Sequence, residues 1–494
     1  MNKKKVIIIG AGVAGLSAGC YLQINGYSTG IFEAHSAPGG LFTSWERNGY
    51  VIEGCVHGLL GSSPAHPLYG LWNELVDMDD MDFIDPDVKT VIEFEDKSRF
   101  IYHSRLDTLE EYLLEIAPED AAVIKEFIDG VRTVKKLAMN VDKPRELYTP
   151  ADYAGMLKYA RTVPFMNKWN NISAEDFSGR FKNPILRRVF KLVISPVLFE
   201  MFVLAEMDQK RSGYPVCGSG RFAGAIARRY SAWGGKISYN SRVSSIMVQN
   251  GRAVGVVLEN GEIHNADIVI SAADAKSTLY KLLDGRYVDG KTRKMFERGE
   301  VNTSKIQVSL GLNRLVDDVG ASVTYVLDNP FRICDGSEFD SINVLVYKNM
   351  RDQIPEGKTL LCIQLETAEP EYWCSLRETD RKEYMRLKLE TAEKLADILE
   401  AHMGPIKGSL DMVDVATPAT YIRYTGNWKG STQGWSNKKL FGGNILGNTL
   451  PGLESFYMIG QWVKPGAGVP NVFMGGRNIA QIICKKDKKQ FTTA

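Results

Sequence analysis

The chain has 494 residues, room for about three average domains or fewer large ones, which excludes a single small module. Hydrophobic residues at 44% and charged residues at 24% are ordinary globular values and exclude disorder and collagen-like repeats. With 60 Lys plus Arg against 59 Asp plus Glu, the net charge is +1, so no global field draws the chain to nucleic acid or an anionic membrane, and any such affinity is local.

The seven cysteines (Cys20, Cys55, Cys217, Cys334, Cys362, Cys374, Cys484) are odd in number, scattered and never spaced C-x-x-C, which argues against a disulfide framework or a metal site and fits a reducing cytoplasm. Lys3 to Lys5 precede the apolar run 6–18, and Ser17-Ala18-Gly19-Cys20 imitates a lipoprotein cleavage site, but the glycines between Gly10 and Gly19 have a better explanation. The longest apolar stretch, 192–205, contains Pro196 and Glu200 and falls short of the ~20 residues a bilayer requires. The expectation is a cytoplasmic chain without a membrane span, with any membrane contact at the inner face.

Val6-Ile7-Ile8-Ile9 is β-branched without polar alternation, as a parallel strand buried on both faces requires. Gly10-Ala11-Gly12-Val13-Ala14-Gly15 follows at once, 16–25 reads as a helix stopped by Gly26, and a strand over 27–32 ends on Glu33. Strand, G-x-G-x-x-G, helix, strand and acid in this short span predict a dinucleotide fold. Gly10 permits the turn, Gly12 lets a diphosphate approach the backbone, and Gly15 lets helix pack on strand. The free amides at the start of the helix face the phosphates at the positive end of its dipole. Glu33, followed by Ala34, is placed to accept from the adenosine ribose hydroxyls and repels a 2′-phosphate, which disfavours NADP. The motif alone does not separate FAD from NAD.

Pro38-Gly39-Gly40-Leu41-Phe42-Thr43-Ser44 comes next, then Gly49-Tyr50-Val51-Ile52-Glu53-Gly54-Cys55-Val56-His57-Gly58. Further on, Gly213-Tyr214-Pro215-Val216-Cys217-Gly218-Ser219-Gly220-Arg221 precedes a predicted helix over 222–233. Gly218-x-Gly220 follows Tyr-Pro rather than an aliphatic strand and is not read as a second nucleotide loop. A strand over 243–248 leads to Asn-Gly steps at 250–251 and 260–261, which favour type I′ turns, and a buried strand after Ala266 runs into a helix capped by Asp274. Strands are predicted over 304–312 and 360–366. A helix over 380–403 carries Tyr384, Leu387, Thr391, Leu395, Ile398 and Leu399 on one face. Near the end, a strand over 456–459 reaches Gly460, and Lys464-Pro465-Gly466-Ala467-Gly468-Val469-Pro470 opens a last helix.

These blocks resemble the phytoene desaturases and related FAD-dependent oxidoreductases, a family similar to the amine oxidases. In that family the paired glycines precede Arg and then Ser or Thr, a Gly-aromatic-x-Phe-Asp-x-Gly strand leads to the flavin, and a His-Pro-Gly-Ala-Gly-Ile-Pro-like loop enters the last helix. This chain departs in carrying Leu41 for the Arg, Glu53 for the Asp and Lys464 for the His. The resemblance implies FAD as cofactor, bound by Gly10, Gly12, Val13, Ala14, Gly15, Glu33, Ala34, Gly40, Leu41, Val243 (backbone to adenine), Gly460, Gly468 and Val469. It implies an α/β fold: a Rossmann-like, doubly wound FAD-binding domain discontinuous in sequence (1–80, 211–280 and 451–494), with an α+β substrate domain from 81–210 and 281–450.

With one nucleotide fold, a nicotinamide has no second domain, and electrons exchange with the substrate or leave to an unidentified acceptor such as oxygen or a quinone. Hydride transfer to flavin N5 needs a positioned, desolvated C–H bond rather than a protein nucleophile. His57 is a candidate acid or base, or a packing residue. Glu53 either stabilises allylic cation character or orients backbone, and Lys464 either lends a cation to the flavin or points into water. Apolar residues over 185–205, and Met156, Leu157, Tyr159, Phe165, Met166 and Trp169 alternating with Lys158, Arg161 and Lys168, read either as a helical core under a solvated rim or as a peripheral membrane contact over 153–205. The expected activity is FAD-dependent oxidoreduction at C–C bonds of a small lipophilic unsaturated substrate, an isoprenoid, polyene or fatty acyl chain. The alternatives are a redox-neutral double-bond isomerase, an amine-oxidase-like enzyme, or a non-catalytic protein with a degenerate FAD fold.

Overall fold

The computed structural model describes residues 3–137, 141–316, 320–348, 350, 353–436 and 445–493. Lys5–Ile9, apolar on both faces, forms the middle strand of a five-stranded parallel sheet. The order across it is Phe456–Met458, Ile268–Ser271, Lys5–Ile9, Ser28–Phe32 and Lys236–Ser238. Three distant stretches of chain thus supply one sheet. Val6 and Ile8 pack among Leu16, Tyr21, Ile226, Phe473 and Ile479 of the helices Val13–Ile24, Gly218–Ala232 and Val469–Lys486. Ile7 and Ile9 face the other way, against Val243 and Val256 of the antiparallel ribbon Val243–Gln249, Arg252–Leu258 and Ile263–Asn265.

The first helix starts three residues earlier than its apolar run suggests, because Gly12 is extended (φ −67°, ψ 170°) and the chain turns helical at Val13. Likewise the helix expected over 222–233 begins at Gly218. Asn250 and Gly251 take φ of 48° and 72°, as a type I′ turn requires. The second Asn-Gly step differs. Gly261 is left-handed, but the loop 259–262 is longer than two residues and Asn260 uses its side-chain oxygen to accept from Glu262 N at 3.0 Å. Asp274 caps its helix, accepting from Ser277 N at 2.8 Å.

A second, seven-stranded sheet has the order Leu410–Ala416, Ser304–Leu312, Thr359–Thr367, Glu338–Lys348, Ser322–Arg332, Val88–Glu93 and Arg99–His103. Its pairs are antiparallel except Ser322–Arg332 with Val88–Glu93. Strand alternation splits its faces: Ile306, Val308 and Leu310 pack with Tyr384, Leu395 and Leu399 of the helix Arg381–Met403, while Lys305, Gln307 and Ser309 point the other way. A separate helical core gathers Leu109, Phe127, Phe177, Val189, Phe190 and Met201. Among the described residues no helix is long and apolar enough to cross a membrane.

Candidate active site

The nucleotide turn is built from backbone. Gly10 takes φ +99°, and a Cβ on Gly15 would lie 2.0 Å from the Gly10 carbonyl oxygen, so only glycine lets the helix come this close. No side chain caps the helix, which leaves its first amides, including those of Val13 and Ala14, without a side-chain acceptor. Gly39 N donates to Ala11 O at 2.9 Å and Gly40 abuts Gly12, which sets Leu41 beside the turn. The buried Glu33 carboxylate accepts from Ala11 N at 2.6 Å and His35 N at 2.8 Å, with Ala34 between. Ser241 N donates to Glu33 O at 2.8 Å and Asn240 N to His35 O at 3.1 Å, docking the stretch that leads to Val243 against the acid.

Gly460 (φ +111°) follows the outer strand, and added Cβ atoms on Gly10 and Gly460 would stand 3.6 and 3.8 Å from Ala272 backbone atoms. Three neighbouring strand ends therefore converge, the place where an open parallel sheet receives its ligand. The helix Val469–Lys486 starts after Gly468 (φ +93°), again with no side-chain cap. A cleft of ≈ 260 Å³ has Glu33, Gly40, Leu41, Thr43 and Gly54 among its lining residues on the nucleotide side, with Ala416 from the end of the second sheet's edge strand and Tyr421 and Arg423 from the helix after it.

Next to Gly54 begins a buried polar cluster. Glu53, 3% exposed, accepts from the N–H groups of Cys55 (2.9 Å), Val56 (3.4 Å) and Ser219 (2.8 Å), and burial raises its pKa. Gln307 Nε2 donates to Glu53 O at 2.9 Å. Lys305 Nζ donates to Gln364 Oε1 at 2.8 Å, which turns the Gln364 amide nitrogen toward His57 Nε2 at 3.1 Å and Gln307 Oε1 at 3.3 Å. His57 Nε2 thus accepts, its proton sits on Nδ1, and Nδ1 donates to the Tyr347 hydroxyl at 2.7 Å. Burial first, and then the Lys305 charge, lowers the His57 pKa to about 4, so the imidazole is neutral at pH 7. Tyr50, Ile52, Tyr214, Tyr347, Leu360 and Met412 form the apolar surroundings. Burial pushes the Cys55 and Cys362 thiols up to about 12, which removes them as nucleophiles.

The profile of a protein family described as flavin containing amine oxidoreductase matches residues 13–484. The chain belongs to that family. It is an FAD-dependent oxidoreductase. It is 23% identical to a 4,4′-diapophytoene desaturase (4,4′-diapolycopene-forming) of Methylomonas sp, over 99% of this chain and 97% of the relative. It is 26% identical to prolycopene isomerase 2, chloroplastic, of an Oncidium hybrid cultivar, over 95% and 82%. Among solved structures, cyclohexylamine oxidase from Brevibacterium oxydans superposes with a TM-score of 0.58 at 13% identity, over 99% of this chain and all of that one, a likeness of fold.

The residues present suit FAD in this flavoenzyme. The turn is closed by glycines, with no room for a Cβ at Gly15 or Gly39, two helix starts offer uncapped amides, and each Glu33 oxygen, having accepted one N–H, keeps a lone pair for a hydroxyl. Of the three residues singled out for chemistry, His57 has its side chain inside the cluster. Glu53 spends its oxygens on backbone amides. Lys464 is exposed, its backbone tied to Leu446 O and Asn448 Nδ2, and its ammonium makes no ion pair among the described residues. Sequence reasoning missed Lys305, Gln307, Tyr347 and Gln364. A signal was present: polar residues at 305, 307 and 309 alternate with Ile306, Val308 and Leu310 on a strand whose polar side had to face something other than the core.

Proposed function

We propose that the chain moves hydride between FAD and a C–C bond of a lipophilic polyene, as a desaturase or saturase. The residues that would hold FAD are Gly10, Gly12, Val13, Ala14, Gly15, Gly40 and Leu41 with Glu33, Ala34 and Val243 for the adenosine diphosphate portion, and Gly460, Gly468 and Val469 for the rest. Bound FAD supplies the hydride acceptor or donor.

The observation that carries the substrate reading is the wall around His57: neutral amides, a neutral imidazole, apolar side chains and the Lys305 ammonium, which would repel a second cation, with Glu53 already engaged by three backbone N–H groups. A protonated amine would find no free carboxylate there among the described residues, whereas a polyene needs none. That two relatives are a diapophytoene desaturase and a prolycopene isomerase supports the same reading. The apolar wall excludes water, which strengthens every remaining charge effect. Lys305 contributes a positive charge that offsets the negative charge arriving with a hydride. His57, with its proton on Nδ1 and its pKa near 4, orients Tyr347 rather than acting as a base at neutral pH. Glu53 orients backbone, and Lys464 serves in water. Anaerobic titration of the holoprotein with acyclic polyenes should bleach the visible flavin band. Bleaching by amines alone would sink the reading.

A redox-neutral double-bond shift is the second reading, favoured by the 26% identity to a prolycopene isomerase. Equal substrate and product mass, with reduced flavin required, would select it.

We also propose that the substrate arrives from a membrane surface. Tyr153, Leu157, Val163, Ile185, Ile194 and Phe199 are exposed, while Leu186, Val189, Phe190 and Met201 from the same stretch fill the helical core, so the core and membrane readings each describe one side of it. Lys168 and Arg180 both pair with Glu126, and the side chain of Lys158 lies outside the described residues. Contact should therefore depend on apolar insertion more than on anionic lipid. Co-sedimentation with neutral vesicles that is lost in Leu157→Asp supports it; absence of binding to neutral and anionic vesicles alike overturns it.

A further inference from the structure

Where the resembling family carries Arg after the paired glycines, this chain has Leu41, an apolar side chain lining the cleft beside Gly40. Charge enters from elsewhere. Arg423, on the helix Pro418–Thr425, and Lys388, on the helix Arg381–Met403, line the same cleft, as do Arg47 and His35. Both lining carboxylates are engaged: Glu33 accepts from Ala11 N and His35 N, and Asp414 accepts from Arg47 Nε at 3.2 Å and Trp45 Nε1 at 3.1 Å. Neither Arg423 nor Lys388 forms an ion pair among the described residues. The Arg423 guanidinium lies over the Tyr424 ring at 4.3 Å and the Lys388 ammonium over Tyr384 at 5.3 Å. Tyr424 meets the His35 ring edge-on, 5.1 Å between centroids, which docks the end of the Arg423 helix at the turn just after Glu33. Burial lowers the Lys388 pKa; Asp414 opposes that, while Arg423, Arg47 and Arg377 add to it. Several cations thus share one field that an anion would relieve.

We propose that Arg423, seconded by Lys388, binds the diphosphate of FAD across the cleft and replaces the guanidinium missing at Leu41. This rests on FAD lying along the Gly10 to Glu33 strip. A guanidinium offers paired N–H donors matched to phosphate oxygens, and cation–phosphate hydrogen bonds are among the stronger ones. Because Arg423 follows the edge strand Leu410–Ala416 of the second sheet, the cofactor would then tie the two sheets together.

The test measures flavin binding to deflavinated protein by fluorescence, with riboflavin as the ligand lacking phosphate. Arg423→Gln should weaken FAD binding about 10- to 100-fold, flatten its salt dependence and leave riboflavin affinity unchanged. Arg423→Lys should recover part of the loss, and the pair L41R/R423Q most of it, which separates lost charge from lost folding. Wild-type FAD affinity and salt dependence in folded Arg423→Gln overturns the proposal. Failure of the unsubstituted protein to bind FAD at all overturns the reading beneath it instead. Inorganic diphosphate and geranyl diphosphate, titrated into the FAD-loaded protein, should not bind at Arg423. Binding there that Arg423→Gln abolishes, with FAD affinity unchanged, assigns the cluster to a phosphorylated substrate and likewise overturns the proposal.

Discussion

The two large sheets present functional groups in opposite ways. The parallel sheet offers main chain at the ends of its strands, where Gly10, Gly460 and the uncapped helix starts leave amides without a side-chain acceptor. The mixed sheet offers side chains across one face, where Lys305, Gln307, Tyr347 and Gln364 meet His57 and the backbone of Glu53. Recognition by main chain depends on a few positions, such as Gly15, where no Cβ fits, and is indifferent to much of the sequence. Recognition by side chains tolerates conservative exchange but depends on each polar partner.

The sharpest way to break that contrast is Gly15→Val. Since even a Cβ would lie 2.0 Å from Gly10 O, a loss of more than about 4 kcal/mol and of stoichiometric FAD is expected, read by urea unfolding and flavin content. A Gly15→Val protein that keeps its yellow cofactor at native stability would show that the turn is not built from backbone contact.

Glu53→Ala comes next. It strands the N–H groups of Cys55, Val56 and Ser219, and about 3 kcal/mol should be lost in the same unfolding measurement, with Glu53→Gln clearly milder.

A pH titration sharpens the side-chain half of the comparison. His57 has a folded pKa of about 4, below its unfolded value of 6.5, so the unfolded chain binds more protons between those limits and stability falls as pH drops through that window. The loss on this account is on the order of 2–3 kcal/mol by pH 4. His66, lowered to about 4 by burial and Arg211, adds a loss of the same sign. His57→Gln should therefore reduce the slope without removing it; an unchanged slope would refute a buried neutral His57.

The smallest effect is expected at Lys464. Exposed and without an ion pair among the described residues, it should change stability by less than about 0.5 kcal/mol on substitution by Ala, and the flavin reduction potential should stay put. A marked shift in potential would restore Lys464 to the redox site.

Legibility followed the same divide. The local structure of the Gly10 turn, the strand ending at Glu33 and the Gly460 to Val469 loop was readable because it depends on residues within a few positions of one another, and strand, turn and helix periods mark it. The helix start at Gly218 was misplaced because Gly218, Ser219 and Gly220 carry no apolar signal even though their backbone is helical, and the start at Val13 because Val13 and Ala14 were read as part of the glycine turn. At Glu53 the residue was visible and backbone orientation was one of two roles left open, but the choice between them was not legible: its partner Ser219 lies 166 positions away. The stretch 153–205 was ambiguous because apolar residues that fill a core and apolar residues that stay exposed look alike until neighbours cover one set.

The sequence by itself determined the parallel strand, the glycine turn, the acid and hence a dinucleotide fold, since those depend on local sterics and on amides that any folded copy of the motif must expose; the flavin came from the family resemblance. Only the tertiary structure decided what surrounds His57 and which cations share the cleft with Leu41. Gln307 reaches Glu53 across 254 positions and Gln364 reaches His57 across 307, and burial and proton placement there depend on neighbours that no local pattern specifies.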